Sequence, residues 1–148
     1  MARRLGDELN EMRFQDNLSG TEIVLFYRTP ITKERVAYAN EAYQRRGRKV
    51  VNRIVETRIK YGLKILRGFR EGDFERKIGE DWRAMASDPA SDNYYPEWKE
   101  HIEKYASDLV EYLASRVFDM PVQMSEEDQM TEDRGQKTEG EEDLDPNA

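Results

Sequence analysis

A chain of 148 residues with one histidine and no cysteine has few side chains suited to catalysis. His101 sits between Glu100 and Glu103 on what reads as the polar side of a helix, without partners at the spacing that a triad or a metal site requires. Glu80 beside Asp81, and Asp88 four residues before Asp92, have the types needed for paired acid-base work. With 31 acidic residues in the chain, however, such pairs arise by chance. There is no P-loop, Gly-x-Gly-x-x-Gly turn, nucleophile elbow or zinc spacing. The sequence therefore predicts a non-enzymatic protein that needs no cofactor and no metal.

Charge offers a different chemistry. Residues 1–118 carry 22 Lys and Arg against 20 Asp and Glu, whereas residues 119–148 carry 2 against 11, so the net charge of −7 belongs to the C-terminal part. Between residues 45 and 70 there are ten cations and one acid, Glu56. Read as a helix over about 49–69, this stretch places Val50, Val51, Ile54, Val55, Ile59, Tyr61, Ile65, Leu66 and Phe69 on one half. Lys49, Arg53, Glu56, Lys60, Lys64 and Arg67 then lie along the other. An ordinary solvated face mixes signs at i, i+4, and this one does not. The predicted partner-binding residues are accordingly Lys49, Arg53, Arg58, Lys60, Tyr61, Lys64 and Arg67. The acidic end is a candidate to screen the stripe until a partner displaces it.

Two residues interrupt the apolar half. Arg58 needs a carboxylate or carbonyls there, either as a structural ion pair or as an interface anchor together with Tyr61. Gly62 lowers helix propensity by about 1 kcal/mol, which points to another backbone packed against it.

The elements that must position these residues read as α+β and mostly helical. Three main helices, one or two short N-terminal strands and a disordered acidic tail are expected. Glu22–Arg28 holds a five-residue apolar run bounded by Ser19-Gly20 and Thr29-Pro30, the clearest strand. Its partner is either residues 10–18 in a hairpin or the same strand, Ile23–Tyr27, of a second copy, which would make a homo-oligomer. Leu5, Leu9 and Met12 suggest a short N-terminal helix. Thr32 is placed to cap a helix that ends at Arg45, Arg46 and Gly47. Ile78, Trp82 and Met85 suggest a short helix, and Pro96 opens a longer one through Trp98, Ile102, Leu109, Leu113 and Val117. Ser125 to Ala148 has almost no large apolar residue and is expected to be disordered. One globular domain over 1–118 and a tail over 119–148 follow. No apolar run is long enough for a signal peptide or a membrane span, so a cytoplasmic protein is predicted.

The order of parts resembles a known class. A strand ending in Phe26-Tyr27-Arg28-Thr29-Pro30, a helix begun by Thr32-Lys33-Glu34-Arg35, a basic segment Glu56-Thr57-Arg58-Ile59-Lys60-Tyr61-Gly62 and an acidic end are similar to small proteins encoded among the tail genes of tailed phages and prophages. Within these, residues 18–118 most resemble the tail assembly chaperone type. The resemblance implies a non-enzymatic role, binding the tape-measure and tail-tube proteins during tail morphogenesis in the host cytoplasm. It carries no residue-level assignments. Two other readings remain open: a small nucleic-acid-binding protein that uses the basic helix 45–70, or a structural connector component of the virion.

Overall fold

The computed structural model describes residues 2–122. Strand β1 (Leu9–Gln15) alternates exposed and half-buried residues, the period of a strand with one face on a core. It turns at Asp16, whose carboxylate accepts from the Leu18 and Ser19 amides and the Ser19 hydroxyl, and Gly20 takes φ +71°. The chain returns as β2 (Glu22–Arg28), antiparallel to β1. Leu9 and Met12 thus belong to a strand, Leu5 precedes it, and the helix expected from Leu5, Leu9 and Met12 is not formed.

Helix α1 (Thr32–Ala42) opens at Ile31, whose amide donates to the Glu34 carboxylate, so Thr32 is its first residue and not its cap. Instead of running on to Gly47, the chain becomes extended at Tyr43. Strands β3 (Tyr43–Arg46) and β4 (Lys49–Asn52) form a hairpin whose two-residue loop is Gly47-Arg48. Gly47 has φ +64°, and a glycine at the first loop position suits the twist of the flanking strands.

Helix α2 (Ile54–Ile65) begins after Asn52, whose side chain accepts from the Ile54 amide. It stops at Leu66 because β5 (Leu66–Phe69) pairs with the free edge of β2. A bulge in that pairing turns both Leu66 and Phe69 to the core and leaves Arg67 outside. The single helix expected over 49–69 is therefore strand, helix and strand. A second hairpin, β6 (Glu75–Ile78) and β7 (Asp81–Ala84), replaces the short helix expected around Trp82, with Gly79-Glu80 as its loop.

The expected Trp98–Val117 helix is divided into α3 (Trp98–Tyr105), α4 (Ser107–Ala114) and a π-helical turn, Ser115–Asp119. Ala106 leaves helical geometry at φ −135°, ψ 33°. The break lets the two helices serve different surfaces: Trp98 meets the Phe69 ring edge-on, and Val110 and Ala114 pack on Gly62 of α2. A Cβ on Gly62 would lie 2.7 Å from the Val110 carbonyl oxygen, which is the close backbone approach that a glycine in an apolar stripe implies.

Among the described residues the protein is α+β with four α-helices and seven strands in three small sheets, which corrects the mostly helical, three-helix reading. The main sheet has the order β1-β2-β5. Its inner face, Ile23 and Leu25 with Leu66 and Phe69, packs on Met85, Trp98, Ile102, Val110, Leu113 and Val117. A second cluster joins Tyr38, Ala42 and Tyr61 to Phe118, with Tyr38 and Phe118 stacked at 4.6 Å. Since β2 lies between β1 and β5, the Ile23–Tyr27 strand has no free edge for a second copy. Asp119, the first residue assigned to the tail, is held by this body, accepting from the Tyr38 hydroxyl and from Arg58. The acidic stretch from residue 123 onward lies outside the described residues. Among those described, no helix is long and apolar enough to cross a membrane.

Candidate binding groove and the cationic residues

The residues expected to form one cationic stripe occupy three separate places. Lys49 projects from β4 on the hairpin arm, and Arg67 is exposed at the bulge of β5. On α2 and its N-cap residue Arg53, most charges already have acidic neighbours. Arg53 lies 3.8 Å from Glu56, and Lys60 Nζ is 3.0 Å from Glu41. Arg58 Nε donates to Asp119 Oδ2 at 2.9 Å, and its Nη1 is 3.5 Å from Glu111. Tyr61 is 2% exposed within the aromatic cluster, a core residue and not an anchor, while exposed Lys64 rests 4.7 Å above its ring. Burial raises the Tyr38 and Tyr61 hydroxyls above their usual pKa, and the hydrogen bond to Asp119 adds to the rise at Tyr38.

A different surface has the form of a binding site. Between the β6–β7 hairpin and α3 runs a groove of about 440 Å³, predominantly apolar, with Phe74, Met85 and Ile102 in its floor. Trp82 and Tyr105 line it while remaining 63% and 67% exposed. Trp82 is presented by a four-residue strand directly opposite Lys77. Tyr105 is presented by the last turn of α3, just before the break at Ala106. Glu75 and Lys77 provide one charge of each sign among the lining residues.

Behind this wall the rings support one another. His101 packs 4.9 Å from Tyr105 and 5.6 Å from Tyr95, and the Arg76 guanidinium lies 4.2 Å from the Tyr95 ring centroid. The histidine is thus part of an aromatic wall and not a freely solvated side chain. No group of three or more His, Cys, Asp or Glu among the described residues is arranged to hold a metal ion. The groove is not legible in the sequence, because Ile78, Trp82 and Met85 at helical spacing suggest a helix there and not a hairpin. The pattern of two short charged runs separated by Gly79-Glu80 is the signal that would have placed it on a hairpin.

Comparison with known proteins returned no match: no family model matches the chain, and neither does any curated protein or solved structure.

Proposed function

We propose that this chain is a non-enzymatic assembly accessory protein, of the tail-assembly chaperone-like kind that its layout resembles, and that it holds an amphipathic segment of another tail protein in the groove beside α3. The observation that carries this reading is the pair of exposed aromatic rings, Trp82 and Tyr105, on one apolar concavity. Large amphipathic rings over an apolar floor are the anchor types of protein interfaces, and Glu75 and Lys77 supply polar groups to orient what binds. A long helical client such as a tape-measure protein offers apolar side chains one turn apart, which suits a groove of this kind. The work would take place in the host cytoplasm.

The test is binding of a helical tape-measure fragment by the full chain. Trp82→Ala and Tyr105→Ala are expected to weaken it at least about tenfold without changing the melting temperature. Unchanged affinity in both variants rejects the groove. Recovery of the protein as a stoichiometric part of finished particles rejects the accessory role in favour of a structural one.

One observation favours a second reading. The β3–β4 arm presents Arg45, Arg48 and Lys49, and no acidic residue occurs between positions 43 and 52. A two-stranded basic ribbon suits phosphate contacts along a duplex. A gel shift that falls steeply with salt, and that is lost when Arg45, Arg48 and Lys49 are changed to Glu, would support nucleic-acid binding there.

A further inference from the structure

A second concavity, of about 610 Å³, lies where the described chain ends. It is lined by Arg3, Arg4, Arg35 and Arg116, and also by Met120 and Pro121, the residues that lead into the acidic sequence. Two acids share the cleft but are already engaged: Glu8 with Arg4 at 2.8 Å and Glu11 with Arg13 at 3.2 Å. Among the described residues, Arg3, Arg35 and Arg116 have no carboxylate within ion-pair distance. Arg35 is held in place by donating to the Val117 carbonyl at 2.9 Å and by lying 5.8 Å from the Phe118 ring centroid.

Three guanidiniums gathered without counter-charges repel one another and favour an anion. The next charged residues after Asp119 are Glu126, Glu127 and Asp128, followed by Glu132 and Asp133, with the first cation only at Arg134. Glu126 is five positions after Pro121, a span of at most about 17 Å when fully extended, so the first of these carboxylates is within reach of the cleft that Pro121 lines. We propose that the acidic segment of this same chain, beginning at Glu126, docks into the arginine cleft formed by Arg3, Arg35 and Arg116. Tethering gives it an effective concentration of about millimolar, which a free peptide would rarely match. The contact is ionic and open to water, so it is displaced by salt or by a stronger polyanion. It stands independently of the groove and of any client.

The chain has no cysteine, so Thr131→Cys gives a unique site for a nitroxide label in the otherwise intact protein. Amide signals of Arg4, Asn10 and Arg116 are expected to lose about half or more of their intensity at low salt and to recover at about 0.5 M NaCl. The exposed pair Arg3→Glu and Arg116→Glu is expected to abolish the effect, with an unchanged melting curve showing that the fold is intact. Broadening that survives the charge reversal, that centres on the β3–β4 arm, or that appears only between molecules in a mixture of labelled and isotope-enriched chains overturns the proposal.

Discussion

Arg58 and Asp119 are 61 residues apart in sequence, and the Nε of one donates to Oδ2 of the other at 2.9 Å. This bond, with Tyr38 donating to Oδ1 at 2.8 Å, ties the end of the last helical turn to both α1 and α2. Burial is the largest single influence on Arg58 and works against its charge, but the hydrogen bonds and charge interactions with Asp119 and Tyr38 together outweigh it, and the guanidinium's pKa is raised.

Arg58→Ala is therefore a stability variant. With side chains only 27% and 26% exposed, the pair contributes more than a surface contact, and the substitution should lower unfolding free energy by about 2 kcal/mol. Asp119→Ala should cost a similar amount, and the double variant less than the sum, as measured by urea denaturation.

Gly62→Ala tests the helix crossing. On an isolated helix alanine would gain about 1 kcal/mol. Here the added methyl meets the Val110 Cγ1 at 2.6 Å and the Val110 backbone oxygen at 2.7 Å, so α4 must move. A net loss of about 2 kcal/mol in thermal or chemical unfolding is expected.

Acid sensitivity follows from Glu34. Arg28 engages both carboxylate oxygens at 2.7 Å, and this hydrogen bonding, reinforced by the Ile31 amide, lowers the pKa from 4.5 to about 2. A depressed carboxylate contributes stability above its unfolded pKa and loses it as pH falls through the folded value. Wild-type protein should thus lose up to about 3 kcal/mol from this group between about pH 5 and pH 2. In Glu34→Gln that part of the slope should vanish, which stability measured across the pH range will show.

The two tryptophans separate cleanly. Trp82 is 63% exposed and Trp98 only 9%. Trp82→Phe should change stability by less than about 0.5 kcal/mol. It should also shift the fluorescence to the blue and remove most of the acrylamide-quenchable emission; an unchanged quenching profile would refute the exposed position.

What the sequence discloses here follows the reach of each interaction. The Glu22–Arg28 strand is legible because its apolar run is bounded by Ser19-Gly20 and Thr29-Pro30, all local signals. Gly62 announces its neighbour because only close packing justifies a glycine in an apolar stripe. The fate of residues 49–69 is not local. Four-residue strands are too short to display a period of two, and Leu66–Phe69 extends because β2, some forty residues earlier, needs an edge partner. The partner of Arg58 was equally hidden, since Asp119 lies beyond the helices that read clearly. Trp82 and Tyr105 line one groove although the Ser87–Asn93 loop lies between them in the sequence, and nothing in their spacing announces it.

The break at Ala106 has a geometric corollary. On one uninterrupted rod Tyr105 and Leu109 would stand one above the other and share a destination; here Leu109 joins the interior while Tyr105 faces water. Any change that straightened the joint would pull the tyrosine inward, and the concavity it borders would lose a wall.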